Sequence, residues 1–439
     1  MDLVQLIGAD AGQATVAARI EAAIADGSLE PGARLAPVRE LAASLGVSPA
    51  TVAAAYRTLK QRGLVTADGR RGTTVTGQPP LRIRAVTPVP SGARDLARGN
   101  PDPALLPSLG DALARIDPAH RLYGDDAKHP QLVELARDVF RADGIEGEIA
   151  IVGGALDGVE RALQTRLRPG DRVALEDPSW PRIADLVNAL GLVPVPVAVD
   201  DEGIAPDALD RALRRGVRAL IAVPRAQNPT GAALTPTRAR RLRELLARHP
   251  DVLVVEDDYV WAVAGAPYIT LHGATPRWVV IRSLSKVLGP DLRIALVAGD
   301  ALTISRIEGR QLLGPGWVSH LLQQAAAELL GASSTKRLLA RAERTYARRR
   351  GALVDALTKH GIPAHSRSGL SVWIPVHDEA TAAQALLERG WAVSAGERYR
   401  FDSRPGIRVT VTTLEPAEAK EVAAALAEAT RAGASTYPG

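Results

Sequence analysis

Cysteine is absent from this sequence, and with it any disulfide framework. No apolar run reaches the roughly 20 residues that cross a bilayer. Met1 to Thr15 carries Asp2, Asp10 and only short apolar pairs, not the basic-then-apolar texture of a secretion leader. These absences lead us to expect a cytoplasmic chain with no disulfide and no membrane association. Aromatic residues are few, with two Phe, six Trp and seven Tyr in 439 residues, so an aromatic beside a polar motif needs a reason. A strong excess of one charge is missing as well: a net +5 over this length says little by itself about a polyanionic partner. What is present is 46% hydrophobic content, enough for about three lobes of ~150 residues each.

Charge does cluster locally. Arg57, Lys60, Arg62, Arg70 and Arg71 face only Asp68, the pattern of a polyanion-facing surface or, taken alone, of a solvated helix and turn. The surrounding residues favour the first. Val16, Ile20, Ala23 and Ile24 give Ala14–Ala25 a helical stripe, with Gly27 beyond it. A turn at Glu30-Pro31-Gly32 leads to a short helix, Val38–Leu45, closed by Gly46. Ser48 is an N-cap with Pro49 at the first position of a third helix running to about Arg62. Leu64-Val65-Thr66 and Thr73-Thr74-Val75-Thr76 then read as strands joined through a basic tip, Asp68-Gly69-Arg70-Arg71-Gly72. Three helices and a basic hairpin make a winged helix-turn-helix, with the third helix for the major groove.

Gln78 to Ser91 changes texture, with Pro79, Pro80, Pro88 and Pro90 interleaved with Arg82 and Arg84, as in a short, stiff linker. Beyond it, apolar strands alternate with longer helical patterns, as in βαβ units around a mostly parallel sheet. Strands are expected at Arg172–Leu175, Val193–Val199, Ala219–Val223, Val252–Val255, Val279–Ile281 and Ile294–Ala298. A long helix near Thr335–Leu357 leads into a smaller α+β lobe. The expected organisation is a DNA-binding domain at 1–77, a linker at 78–94, and a body at 95–433 with a large lobe to about 330 and a small one from about 331.

Polar motifs sit at the ends of these strands, where open α/β sheets place ligands. Ser283-Leu284-Ser285-Lys286 follows one strand and leads to Gly289-Pro290-Asp291-Leu292-Arg293. A lysine there is suited to a Schiff base with an aldehyde cofactor, and Ser283 with Arg293 to a phosphate; alone, the motif is also an ordinary loop. Val254-Val255-Glu256-Asp257-Asp258-Tyr259 puts acids and a phenol at another strand end, where a carboxylate could hold a pyridinium nitrogen protonated or simply cap a helix. Gln227-Asn228-Pro229-Thr230-Gly231 offers an amide or a structural turn. Gly153-Gly154-Ala155 opens a helix whose free N–H groups suit a phosphate. Trp180, in Glu176-Asp177-Pro178-Ser179-Trp180, is a stacking indole or a core residue. No metal site is expected.

The head resembles the GntR group of bacterial regulators through Gly27-Ser28-Leu29-Glu30-Pro31-Gly32, Pro37-Val38-Arg39-Glu40-Leu41-Ala42, Leu45-Gly46-Val47-Ser48, Thr51-Val52 with Tyr56 and Leu59, and Gly63-Leu64-Val65. The body motifs, in their order, resemble the fold-type I aminotransferases, and the two together resemble the MocR branch of GntR regulators. That resemblance implies a winged helix-turn-helix fused to an α/β pyridoxal-phosphate (PLP) transferase fold. It implies Lys286 as the Schiff-base residue, Asp257 at the pyridine nitrogen, Asn228 and Tyr259 beside the ring hydroxyl, and Trp180 stacked on the ring. Gly154, Ala155, Ser283 and Arg293 would cradle the phosphate, with Ser285 a further cofactor-binding residue. Tyr123 would reach the phosphate of a neighbouring subunit in a homodimer, and Arg408 would grip an effector carboxylate with its bidentate fork.

Two departures stand out. The recognition helix carries Pro49, Ala50, Ala53, Ala54 and Ala55 where the family usually has polar or basic groups, so base reading is expected to be sparse. Arg39, Ser48, Thr51 and Arg57 are the expected contacts, with Arg70, Arg71 and Gly72 of the wing on the backbone or minor groove. In the body, Leu156-Asp157 replaces a pair of glutamines, and Arg225-Ala226 a serine and histidine. The expected function is a transcriptional regulator of operator DNA that senses PLP, or an amine or amino acid through it, with vitamin B6 metabolism a candidate target. An active aminotransferase with a DNA-binding appendage is the alternative, and a cofactor-free dimerisation scaffold is the third reading.

Overall fold

The computed structural model describes residues 13–25, 27–61, 63–68, 72–75, 89–116 and 121–434. By contacts the chain divides into two compact units, one built around the N-terminal 87 residues and the other around the remainder. Each is described by itself.

In the head, α1 (Gln13–Ala25), α2 (Val38–Leu45) and α3 (Pro49–Gln61) precede a hairpin of β1 (Val65–Asp68) and β2 (Gly72–Val75). The expected stripe of α1 is buried through Val16, Ile20, Ala23 and Ile24, against Leu41 and Leu45 of α2 and Val52, Ala55 and Leu59 of α3. Gly46 ends α2 in the left-handed conformation at φ 70°, its N–H turned back to the carbonyl of Ala42. Ser48 Oγ accepts from the Thr51 N–H at 3.1 Å, the cap expected for α3. The Tyr56 hydroxyl donates to the Ala36 carbonyl at 2.7 Å and fixes the entry to α2.

One element of the head was not read from the sequence. Residues 32–35 pair with β2: Gly32 N donates to Val75 O, Val75 N to Ala33 O and Leu35 N to Thr73 O, each at 2.8 Å. The wing is therefore three-stranded, with Arg34 directly across from Thr74. Arg62, the wing tip at 69–71 with Arg70 and Arg71, and residues 76–88, which include most of the linker expected at 78–94, lie outside the described residues.

In the second unit β3 (Arg94–Asp95) comes first, followed by β4 (Glu148–Val152), β5 (Arg172–Asp177), β6 (Val193–Asp200), β7 (Gly203–Ile204), β8 (Ala219–Ala222), β9 (Leu253–Asp258), β10 (Trp278–Ser283) and β11 (Ala295–Gly299). All but β3 form one sheet in the order β4-β11-β10-β9-β8-β5-β6-β7. The strands β5, β8, β9 and β10 are parallel, whereas β11 is antiparallel to both β10 and β4. The carboxyl ends of β4, β5, β8, β9 and β10 thus share one edge, where β11 begins. Every residue of β9 and β10 is buried, as in a sheet covered on both faces.

The smaller lobe sets β12 (Ser371–Pro375), β13 (Trp391–Ala392), β14 (Ser394–Ala395) and β15 (Gly406–Thr410) against the helices Ser333–Lys359, Glu379–Glu388 and Pro416–Ala434. Its core includes Leu353, Val372, Leu386, Val409 and Leu426. Leu96 belongs to this core, and β3 pairs with β13, so the first strand after the linker joins the lobe that is last in sequence. Arg94 locks it there through Glu418 at 2.9 Å.

Candidate cofactor pocket and nucleic-acid face

Each motif of the body extends a strand to the same sheet edge. Lys286 follows β10 in a turn braced by the Ser285 N–H on Ser283 Oγ at 3.3 Å. Its ammonium donates to the carbonyl of Gly99. Burial first, and then the positive charge of Arg408, lower the Lys286 pKa to about 8. Arg408, on β15 of the small lobe, is buried, donates to Asn228 Oδ1 at 3.1 Å and to the Ala97 carbonyl, and lies 5.1 Å from the ring centre of Tyr399. Gly99 lies against the same guanidinium, 3.7 Å from where its Cβ would stand. The Tyr259 hydroxyl donates to the Ala226 carbonyl at 2.8 Å, just before Asn228. Lys286, Asn228 and Tyr259 from three loops of the large lobe and Arg408 from a strand of the small one therefore come into one cluster.

Asp257 is the penultimate residue of β9, opposite Ile281 of β10. Its Oδ1 is buried and has no hydrogen-bond partner among the described residues. Burial, and then the neighbouring charge of Asp258, raise its pKa to about 7. Strand alternation turns Asp258 to the opposite face. There Arg225 grips it bidentately at 3.0 and 2.9 Å, and Arg282 Nε adds a contact at 3.1 Å. Both guanidinia stack on Tyr268, at 5.0 and 4.9 Å. The unusual Arg225 thus stands beneath the sheet as a counter-charge to Asp258, leaving Asp257 the uncompensated carboxyl.

The phosphate-type cradle lies at the start of the helix Ala155–Gln164. Gly154 caps it at φ 115°, and a Cβ there would stand 2.7 Å from Arg293 Nη2. Ala155 is the first helical residue, and Arg293, itself at φ 49°, stands two residues before β11. The departure Asp157 accepts from the Gly153 N–H at 2.8 Å and pairs with Arg161 at 2.8 Å, so it closes the glycine turn. Trp180 is half-buried at the head of the helix Pro181–Ala189, beside Ser179, whose N–H donates to the Tyr399 carbonyl at 2.7 Å. Tyr123 does not join the cluster of its own chain: it is 94% exposed and meets Trp317 edge-on at 5.7 Å.

Several residues of this pocket were not read from the sequence. The carbonyls of Ala97 and Gly99 carry no side-chain signal, and Tyr399 lies in no recognisable motif. Glu176 is buried, takes the Gln227 amide at 3.0 Å and has its pKa raised to about 8, chiefly by burial. Gln227 also accepts from Thr230 N at 3.0 Å and so rigidifies the turn that presents Asn228. Asp177 receives the N–H groups of Phe401, Asp402 and Ser403 at 2.8–2.9 Å and ties the Tyr399 loop to β5.

In the head, Arg39 and Arg57 are exposed on α2 and α3, and Gly72 opens β2 at φ 84°. Ser48 and Thr51 stand at the start of α3 with their hydroxyls 2.9 Å apart, so capping occupies part of their hydrogen-bonding capacity.

Residues 93–426 match the model of the aminotransferase class I and II family, and residues 13–75 match that of the gntR family of bacterial regulatory proteins. A vitamin B6 salvage pathway transcriptional repressor, PtsJ of Salmonella typhimurium, is 40% identical over 92% of this chain and 95% of its own length. The pyridoxine biosynthesis transcriptional regulator PdxR of Corynebacterium glutamicum is 28% identical over 77% of each chain. The transcriptional regulator TauR of Rhodobacter capsulatus is 29% identical over 96% of this chain and 98% of its own. Among solved structures, a kynurenine aminotransferase of Pyrococcus horikoshii superposes with a TM-score of 0.72 at 23% identity, covering 78% of this chain and 92% of that one. The α-aminoadipate aminotransferase LysN of Thermus thermophilus gives 0.71 at 22%, covering 86% and 98%. These last two carry the fold alone, which is the fold-type I architecture expected for the body.

Proposed function

The chain belongs to the GntR regulators whose body is of the aminotransferase class I and II family, and from that premise we propose that it couples operator binding to PLP. It is a DNA-binding transcriptional regulator. The observation that carries the cofactor reading is a carboxyl oxygen of Asp257, buried without a partner among the described residues at the same sheet edge as the half-buried amine of Lys286. An orphaned acid of that kind fits a protonated ring nitrogen, and the Gly154–Arg293 cradle fits a phosphate.

When bound, PLP supplies an aldehyde and an electron-withdrawing ring. The chain's own residues do the rest. Lys286 presents an amine largely neutral above pH about 8. Asp257 holds a proton-bearing ring nitrogen; Asn228 and Tyr259 stand ready for the ring hydroxyl, and Trp180 for the ring face. Gly154, Ala155, Ser283, Ser285 and Arg293 hold the phosphate, and Arg408 takes an effector carboxylate. Tyr123 completes the phosphate site of a second copy, and the exposed Leu122 beside it in sequence, with Leu312 and Leu313 shortly before the Trp317 that it touches, supplies an apolar dimer face. Arg39, Ser48, Thr51, Arg57, Arg70, Arg71 and Gly72 form the DNA-facing set. Two of the three relatives cited carry vitamin B6 in their names, which makes PLP itself the signal we favour and vitamin B6 genes the target.

The test is a visible absorption spectrum with PLP, followed by DNA titrations with and without it. A visible band that Lys286→Ala abolishes, with a parallel change in DNA affinity, is the expected result. No band at all would reduce the body to a scaffold. The retained Lys286, Asp257 and Arg408 also allow a working aminotransferase, and sustained turnover of amino-acid and keto-acid pairs at about 1 per second or faster would favour that reading.

A further inference from the structure

The start of the recognition helix is poor in cations, yet a DNA-binding head needs positive charge facing the phosphates. Pro49, Ala50, Ala53 and Ala54 offer none, and within α3 only Arg57 and Lys60 are cationic. The three-stranded wing supplies another. Leu35 and Val75 of that sheet are buried in the core, so alternation turns Arg34 and Thr74 to the other face. Thr66 lies beside them, its hydroxyl 3.1 Å from that of Thr74. Thr66, Thr74 and Arg34 form one polar row across the three strands.

Arg34 is exposed and has no ion-pair partner among the described residues. Its guanidinium is nevertheless placed. It crosses Gly72, where a Cβ would stand 3.0 Å from Nε and 3.2 Å from Nη2. Gly72 also adopts φ 84°, so both the backbone and the close approach call for glycine there. The backbone of Arg34 is fixed by the flanking bonds of Ala33 and Leu35 to β2. A cation with no ion-pair partner among the described residues, on a rigid strand beside the Thr74 hydroxyl and across the glycine that follows the basic tip in sequence, has the chemistry that grips a DNA phosphate.

We propose that Arg34 is a phosphate-contacting residue of the wing. It moves part of the DNA grip from the alanine-rich helix to the sheet. A phosphate contact adds affinity without reading sequence, so this head relies on backbone contact more than its recognition helix alone would suggest.

The test uses the full-length protein and a labelled duplex of arbitrary sequence, titrated over a series of salt concentrations, with Arg34→Ala, Arg34→Lys and Arg34→Gln. For Arg34→Ala we expect affinity to fall about three- to tenfold and the slope of log affinity against log salt to shrink by about 0.9 for each bound head. Arg34→Gln should share the smaller slope and Arg34→Lys should restore it, with the PLP absorption band unchanged in all three. A wild-type slope in both Arg34→Ala and Arg34→Gln would overturn the proposal, even with weaker affinity, because a purely structural loss leaves the counterion count unchanged. A lower melting temperature in Arg34→Ala alone does not mimic the result, since the folded fraction scales affinity at every salt concentration alike.

Discussion

Lys286 shows how a single residue takes its chemistry from its neighbours. In water its amine would stay protonated to pH about 10.4; here burial, helped by Arg408, brings the folded value to about 8. The sign is that of a lowered base: the neutral amine prevails above pH about 8, and protonation returns below it. The rate of PLP capture, followed as growth of the visible band in rapid mixing, should therefore rise through pH about 8 and then level. In Arg408→Ala the midpoint should move upward, because one positive charge no longer opposes the ammonium. An unmoved midpoint would show that burial alone sets it. Asp257 is the mirror case: burial and Asp258 favour its protonated form up to about pH 7, whereas a ring nitrogen sharing its proton would favour the ionised one.

Among the elements, the helix Ala155–Gln164 matters most for the pocket, because its N-terminus, a ready anion site, begins at Gly154 beside the Arg293 guanidinium. Gly154 sits at φ 115° and ψ 170°, a region held almost only by glycine, where an alanine costs about 1–3 kcal/mol. The added methyl would also displace Arg293 from the cradle. Gly154→Ala is expected to fold with a lowered melting temperature and to bind PLP about ten- to a hundredfold more weakly, the size of one or two lost charge-assisted hydrogen bonds. Absorbance titration against PLP checks this, and unchanged affinity would remove Gly154 from the phosphate site.

For the whole molecule, the exposed apolar residues carry the argument. Leu313 is 90% exposed, Leu122 70% and Leu312 65%; Tyr123, next to Leu122 in sequence, meets Trp317, which follows Leu313 by four positions. Single exposed leucines are ordinary, but several beside an exposed tyrosine suit a two-fold interface. Each leucine buried there contributes about 1.5–3 kcal/mol, and symmetry counts it twice. Leu313→Asp should therefore shift the sedimenting species from dimer to monomer at micromolar concentration. It should also weaken PLP binding, because Tyr123 would no longer reach a partner's phosphate. A monomer with full PLP affinity would separate the site from dimerisation. No helix among the described residues is long and apolar enough to cross a membrane.

The sequence by itself determined the family, the order of the elements and most of the pocket. Parallel strands end at one edge, so a motif placed just after an apolar run declares its position before any contact is known; Lys286, Asp257 and Asn228 were legible for that reason. Several strands and helices were not, β4 (Glu148–Val152) among them. Tertiary structure alone decided what lies between distant segments. It put Ala97 and Gly99 carbonyls on Arg408 and Lys286, Tyr399 over Arg408, Arg225 under Asp258, and Arg34 across Gly72. Those pairings join residues up to some 300 positions apart through backbone groups or through which face of a strand a side chain takes. Neither quantity leaves a local mark in the chain, since both depend on register and packing that exist only once the sheet has formed.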